Sequence, residues 1–361
     1  MNDVDDAREH IADPYEVFSH GDFLKTLATS LASKRMHHSW LLTGSRGIGK
    51  ASVARLAAAC LLSERQSSTL AGLVTGKDSK FSISMEDPGA NLVFNGAHPD
   101  YLSISPALDD NKSGQIKIDQ IRDMIPFMAH KPARGGWRVT VIDSMDEVNR
   151  NGANAMLKLL EEPPEKSVIF LVSSRPGQLP PTIRSRCHVV RLFPLKASLC
   201  RDLLTKKLTD TDAERIDLLV LLSGGAPGLA ILLNDSAAVE CYEVACSLLS
   251  APKIDVDAMV KLTSKWGKGG AAGRASRQGA IFCLGRLLRL LALTANGGNI
   301  PATCQFEKQI ISVLCSRHSP LQLAKFYDEF LEESAKAEGL YLDFSQVLLR
   351  QMIKLYQKTL P

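Results

Sequence analysis

The sequence predicts an α/β domain built on a parallel sheet around a phosphate-binding loop, followed by an all-helical remainder. Three observations carry this. Gly44-Ser45-Arg46-Gly47-Ile48-Gly49-Lys50 fits the P-loop spacing and sits between an apolar run and an alanine-rich helical segment. Apolar strand-like runs alternate with helical periodicity up to about residue 192. Beyond Pro194 helical periodicity dominates and the strand signal fades.

Each element follows from a local pattern. Residues 1–20 are polar and are read as loosely ordered as far as Val17-Phe18. Residues 38–43 read as a strand with Trp40-Leu41-Leu42 at its centre. Residues 52–62 read as a helix, with Val53, Leu56, Ala57, Cys60 and Leu61 at helical spacing. Residues 63–98, rich in Ser, Gly, Asp and Asn, read as a partly ordered excursion. A strand is expected over 101–104, and a helix over 118–128 with Ile121, Met124, Ile125 and Met128 on one face. Residues 138–142 form a strand that ends at Asp143. The helix over 151–162 carries Ala153, Met156, Leu157 and Leu160 on one side, and Pro163-Pro164 stops it. Residues 168–172 are a continuous apolar run, the pattern of a strand buried on both faces. A last strand covers 189–192. Helices are expected over 199–208 and 213–223, then Gly224-Gly225-Ala226-Pro227-Gly228 interrupts and another begins at Leu229. Residues 281–293 and 344–356 are the clearest helices of the remainder.

Composition bounds the function. The chain has 361 residues, enough for two or three domains, and is 45% hydrophobic and 23% charged. A net charge of +4 does not by itself mark a nucleic-acid binder. None of the eight cysteines forms a C-x-x-C pair, so no zinc spacing is present and reduced thiols of a cytoplasmic protein are expected. The acidic N-terminus lacks the apolar stretch of a secretory signal, and no uninterrupted apolar run is long enough for a bilayer.

The phosphate loop is incomplete. Its final position, where a Ser or Thr hydroxyl ligates Mg²⁺, is Ala51. Asp143 stands at a strand end as the second acidic element, but Ser144 follows where a water-polarising glutamate is usual. Asp146 and Glu147 lie a turn further along and are not expected to substitute. The pattern describes a degenerate nucleotide site of Gly44, Gly47, Gly49, Lys50 and Asp143. In Ile183-Arg184-Ser185-Arg186-Cys187 two readings are open: arginines that bond their own domain, or a guanidinium offered to a neighbour's γ-phosphate.

Three segments together resemble the clamp-loader family of AAA+ proteins. They are Arg138-Val139-Thr140-Val141-Ile142-Asp143, Asn154-Ala155-Met156-Leu157-Lys158-Leu159-Leu160-Glu161-Glu162-Pro163-Pro164 and Thr182-Ile183-Arg184-Ser185-Arg186-Cys187. His98-Pro99-Asp100 ahead of a strand is also similar to the family. The resemblance covers residues 38–235 by motif, and the rest by size and helicity. It implies an AAA+ P-loop α/β domain over 1–192, a small helical lid over 193–236 and an all-α collar over 237–361. It implies a hetero-pentamer of motor subunits and a delta subunit, within the DNA polymerase III holoenzyme, that opens the sliding clamp and places it on primer–template DNA. Arg186 would act in trans as the arginine finger on an adjacent motor subunit's ATP. The lid arginine of hydrolysing members is replaced here by Gly228. The four-cysteine zinc module of many members has no counterpart, because 63–98 contains no cysteine.

The expectation is a non-catalytic stator that needs no cofactor, holds ATP or ADP weakly if at all, binds no metal and touches no membrane. An autonomous ATPase with a relaxed metal site is the alternative, and a plain DNA-binding module a third reading. The third would use Lys261, Lys265, Lys268, Arg274, Arg277, Arg286 and Arg289, in a stretch with no acidic residue between Asp257 and Glu307. Residues 267–279 read as a flexible loop, and the stretch also fits a solvated surface.

Overall fold

Five parallel strands form one sheet in the order β4 (Tyr101–Ile104), β5 (Arg138–Asp143), β6 (Ser167–Ser173), β2 (Ser39–Thr43), β7 (His188–Arg191). This computed structural model describes residues 16–64, 80–84, 86–106, 115–267, 273–298, 301, 303–340 and 343–357. Side chains alternate across the sheet, so β2, β4, β5 and β6 each feed two cores, while the edge strand β7 is largely exposed. Trp40, Leu42, Val139, Val141, Val168, Phe170 and Val172 join one cluster with α1 (Gly21–Ala32), α2 (Lys50–Leu62) and α3 (Pro88–Phe94). Leu41, Ile142, Ile169 and Leu171 join the other with α4 (Ile118–Ala129), α5 (Arg150–Ala155) and α6 (Leu157–Glu161). Covering both faces is why β6 is buried throughout and reads as an unbroken apolar run. α7 (Pro181–Arg184) and α8 (Ala197–Lys207) flank β7 in the chain.

The structure corrects the sequence reading at several places. α1 has no counterpart in that reading: Thr26, Thr29 and Ser30 turn their hydroxyls onto carbonyls four residues back, while Phe23, Leu24, Leu27 and Ala28 are buried. The polar face masks a short apolar stripe. β1 (Glu16–Phe18) pairs antiparallel with β3 (Lys80–Ser82), and α3 lies within the excursion. Asp87 caps α3 by accepting from the Ala90 amide at 2.8 Å, and it accepts from the Ser63 hydroxyl at 2.6 Å. Residues 65–79 and 85 of that excursion lie outside the described residues. The helix expected over 151–162 is two helices that meet at Met156.

Asp100 anchors the turn between α4 and β5. It is 1% exposed. Its Oδ1 accepts from the Ala133 amide at 2.7 Å and from Arg138 Nη2 at 2.9 Å, and its Oδ2 from the Arg134 amide at 3.2 Å. Arg138 also donates to the carbonyls of Phe127 (2.6 Å) and Lys131 (2.9 Å).

The described residues divide into two compact units, the first holding those within 16–106, 115–210 and 224–229, the second those within 211–223 and 230–357. The second unit is helical: α9 (Ala213–Ser223), most of α10 (Pro227–Asp235), α11 (Ala238–Ser250), α12 (Val256–Trp266), α13 (Arg274–Ala295), α14 (Gln305–Arg317), α15 (Pro320–Leu340) and α16 (Phe344–Tyr356). Glu307, fully buried, accepts from Arg286 Nε at 2.6 Å and from the Tyr242 hydroxyl at 2.9 Å. Arg286 of the basic stretch is therefore spent inside the unit. Residues 274–279, expected as loop, open α13. A Cβ on Gly279 would lie 2.5 Å from that of Ala238, so this glycine lets two helices approach closely. Residues 268–272 of the expected loop, Lys268 included, lie outside the described residues. Lys261, Lys265 and Arg289 are exposed. Among the described residues α13 is the one helix whose length and composition would suit a membrane span, although Arg286 and Arg289 lie along it.

Candidate functional site

The P-loop connects the end of β2 to the start of α2, at the carboxyl ends of the parallel strands, where α/β folds place ligands. Gly49 caps α2 at φ +93°, a conformation costly for any other residue. Gly47 has φ +79°, and a Cβ there would sit 2.4 Å from the Leu229 amide nitrogen. The amide of Gly228 donates to the Gly47 carbonyl at 2.8 Å. Gly228, the expected lid-arginine position, is thus pressed backbone to backbone against the loop. A Cβ at Gly228 would lie 3.1 Å from the Gly47 carbonyl oxygen.

Lys50 is 5% exposed and turns back into its own loop. Its ammonium donates to the carbonyls of Gly44 (2.9 Å) and Ser45 (2.7 Å) and to the Ser174 hydroxyl (2.9 Å). Burial pushes it down from 10.5 to about 8, against the upward pull of the Asp143 and Asp146 carboxylates. Asp143 and Lys50 therefore share one electrostatic environment, as the sequence pairing of loop and acidic strand end requires.

Residues missed in the sequence complete this end of the sheet. Asp146, set aside as too far along the chain, accepts from the Ser173 hydroxyl at 2.5 Å and the Ser174 amide at 2.6 Å. It thereby shapes the end of β6 that presents Ser174 to Lys50. His20 donates from Nε2 to the Ile48 carbonyl at 2.8 Å, and burial holds it below its ordinary value, in the neutral form. Neither had a motif to mark it, because each acts across a gap of more than 25 residues.

The donor set does not fit a catalytic magnesium. Ala51 offers no oxygen and Ser144 offers no second carboxylate, although Asp143 is in place. Among the described residues no cluster of His, Cys, Asp or Glu is placed to hold a metal ion.

The folded lysine releases its proton at about pH 8, whereas an unfolded one keeps it to 10.5. Across that window the unfolded state binds more protons, so stability contributed by this position rises with pH. Relative to Lys50→Met, the wild-type gain should be about 3 kcal/mol, read by urea unfolding at both ends of the window. Parallel curves for the two proteins would contradict the assignment.

Arg186 lies at the opposite end of the sheet. It precedes β7, and its carbonyl accepts from Ser39 Oγ, at the start of β2, at 3.0 Å. The P-loop begins after the far end of β2, five residues on, a separation of about 16 Å at roughly 3.3 Å per residue. The guanidinium is paired through Nη2 with Glu161 at 2.5 Å and donates from Nη1 to the Thr182 carbonyl at 3.0 Å. Of the predicted site residues, Gly44, Gly47, Gly49, Lys50 and Asp143 are thus brought to one end of the sheet and Arg186 to the other.

Residues 19–196 match the family model described as DNA polymerase III, delta subunit. The chain is 35% identical over 205 residues to the DNA polymerase III subunit delta' of Pseudomonas aeruginosa, covering 56% of this chain and 58% of the relative. It is 30% identical over 222 residues to the subunit tau of Escherichia coli, covering 59% of this chain and 31% of the relative. Each match thus spans less than two thirds of the relative's own length. A solved gamma subunit-related protein of Thermotoga maritima is similar at 17% identity and a TM-score of 0.39, covering 94% of this chain and 99% of that one.

Proposed function

We propose that this chain, a member through residues 19–196 of the DNA polymerase III, delta subunit family, works as the non-hydrolysing delta-prime subunit of a clamp loader. In this reading it sits in a hetero-pentamer with motor subunits and a delta subunit in the cytoplasm. It helps place a sliding clamp on primer–template DNA as part of the polymerase holoenzyme. Its own loop requires no nucleotide, and no zinc is needed.

The observation that carries the reading is the separation of Arg186 from the chain's own phosphate loop by the length of β2. A phosphate that meets this guanidinium has to belong to another molecule. There the positive charge would stabilise the charge that spreads over a transferring phosphoryl group, the role of an arginine finger. The home site lacks the matching equipment at Ala51, Ser144 and Gly228, and Lys50 is already satisfied by three protein oxygens. The subunit then contributes by contact and charge rather than by turnover.

The test is to assemble motor and delta subunits with and without this chain and to measure ATPase stimulated by clamp and primed DNA. Stimulation that needs the chain, and no turnover by the chain alone, is the expected result. Magnesium-dependent phosphate release by the purified chain, abolished by Lys50→Ala, would instead establish an autonomous ATPase.

A further inference from the structure

Arg186 is held in a frame of acceptors, and one of them, Glu161, has no assigned part in the arginine-finger role; a part for it presupposes that role. An arginine carries about 2 kcal/mol of side-chain rotamer entropy. Delivered from an exposed turn without support, it would lose that entropy each time it met a phosphate. Here the guanidinium borders a surface recess of about 520 Å³ lined by His37, His38, Leu160, Glu161, Ser185 and Arg186. The two terminal nitrogens are held separately, Nη2 by Glu161 Oε1 and Nη1 by the Thr182 carbonyl. Glu161 is itself fixed at the last residue of α6. The adjoining Leu160 carbonyl accepts from His38 Nε2 at 3.0 Å, which ties the end of α6 to the start of β2. The Ser39 hydroxyl ties the Arg186 backbone to the same strand. A guanidinium has five N–H donors in a rigid plane; with the Ser185 hydroxyl 3.5 Å from Nη1 as a third acceptor, these contacts fix the plane and leave Nε and one Nη2 hydrogen for a ligand.

We infer that Glu161 is a positioning residue for Arg186: its carboxylate orients the guanidinium toward the neighbouring subunit's phosphate and lowers the entropy lost on engagement. The pair is a poor stability device. Its side chains are 34% and 48% exposed, and such pairs contribute at most about 1 kcal/mol. Orientation is a different matter, since a misplaced catalytic group loses rate steeply.

The experiment uses the reconstituted complex carrying Glu161→Ala, Glu161→Gln, Arg186→Ala or the Glu161→Ala/Arg186→Ala pair. With Glu161→Ala, kcat of the clamp- and DNA-stimulated ATPase should fall about tenfold, with KM for ATP and assembly unchanged. Glu161→Gln, which keeps the acceptor oxygen, should recover part of the loss. In the Arg186→Ala background, Glu161→Ala should have no further effect. A slow Arg186→Ala complex beside a Glu161→Ala complex of normal or raised turnover overturns the positioning role and leaves the finger intact. A Glu161→Ala loss that persists without Arg186 overturns it as well. Normal turnover with Arg186→Ala removes the finger, and this role with it.

Discussion

Replacing Arg186 with alanine is expected to slow hydrolysis at the neighbouring subunit's site by roughly 10³-fold or more, while the complex still assembles. The two halves of this expectation have separate causes. In the proposed role the rate falls because the guanidinium supplies positive charge in the transition state. His37 and His38 line the same recess, but His38 is engaged with the Leu160 carbonyl and burial holds His37 below its ordinary value. Assembly survives because truncating Arg186 removes no core packing, only exposed hydrogen bonds to Thr182 and Ser185 and one surface ion pair, the pair worth at most about 1 kcal/mol. Arg186→Lys keeps the charge without the planar fork and should fall between the two. Single-turnover ATPase of the reconstituted complex, together with its elution on size exclusion, reads both halves. Wild-type turnover in an intact complex would refute the role.

Asp100→Ala should cost about 3–5 kcal/mol of stability, a large effect for a single polar side chain. The cost does not measure the attraction between Asp100 and Arg138. It arises because the deletion strands Arg138, 8% exposed, and leaves the Ala133 and Arg134 amides without their acceptor. If so, removing both charges, as in Asp100→Ala/Arg138→Met, should cost less than the sum of the single changes. Urea unfolding of the four proteins measures this directly. A loss below about 1 kcal/mol for Asp100→Ala would mean that the pair behaves as an exposed one.

Much of the fold was legible in the sequence because it depends on short-range pattern. Strands β2, β4, β5, β6 and β7 were each marked by a run of apolar residues, and α16 by its helical period. The degenerate site was legible because its signal is contiguous: Gly44 to Ala51, then Asp143 and Ser144 at one strand end. α1, β1 and β3 were not, since a polar face covers the stripe of the first and three-residue strands have too few positions to show a period. Gly279 was misread as loop because the sequence does not reveal that Ala238 lies against it.

The sequence by itself determined which groups the phosphate site lacks, because an absent hydroxyl or carboxylate is a matter of residue identity. Only the tertiary structure decided where the remaining charges act. Parallel pairing of β2 with β6 and β7 carries Lys50 and Asp143 to one end of the sheet and Arg186 to the other, although all belong to the same set of motifs. It also set Asp146 behind Ser174, and Glu161 against Arg186, across 25 residues of chain or more. Such contacts are fixed by strand order and register, which no local run of residues encodes.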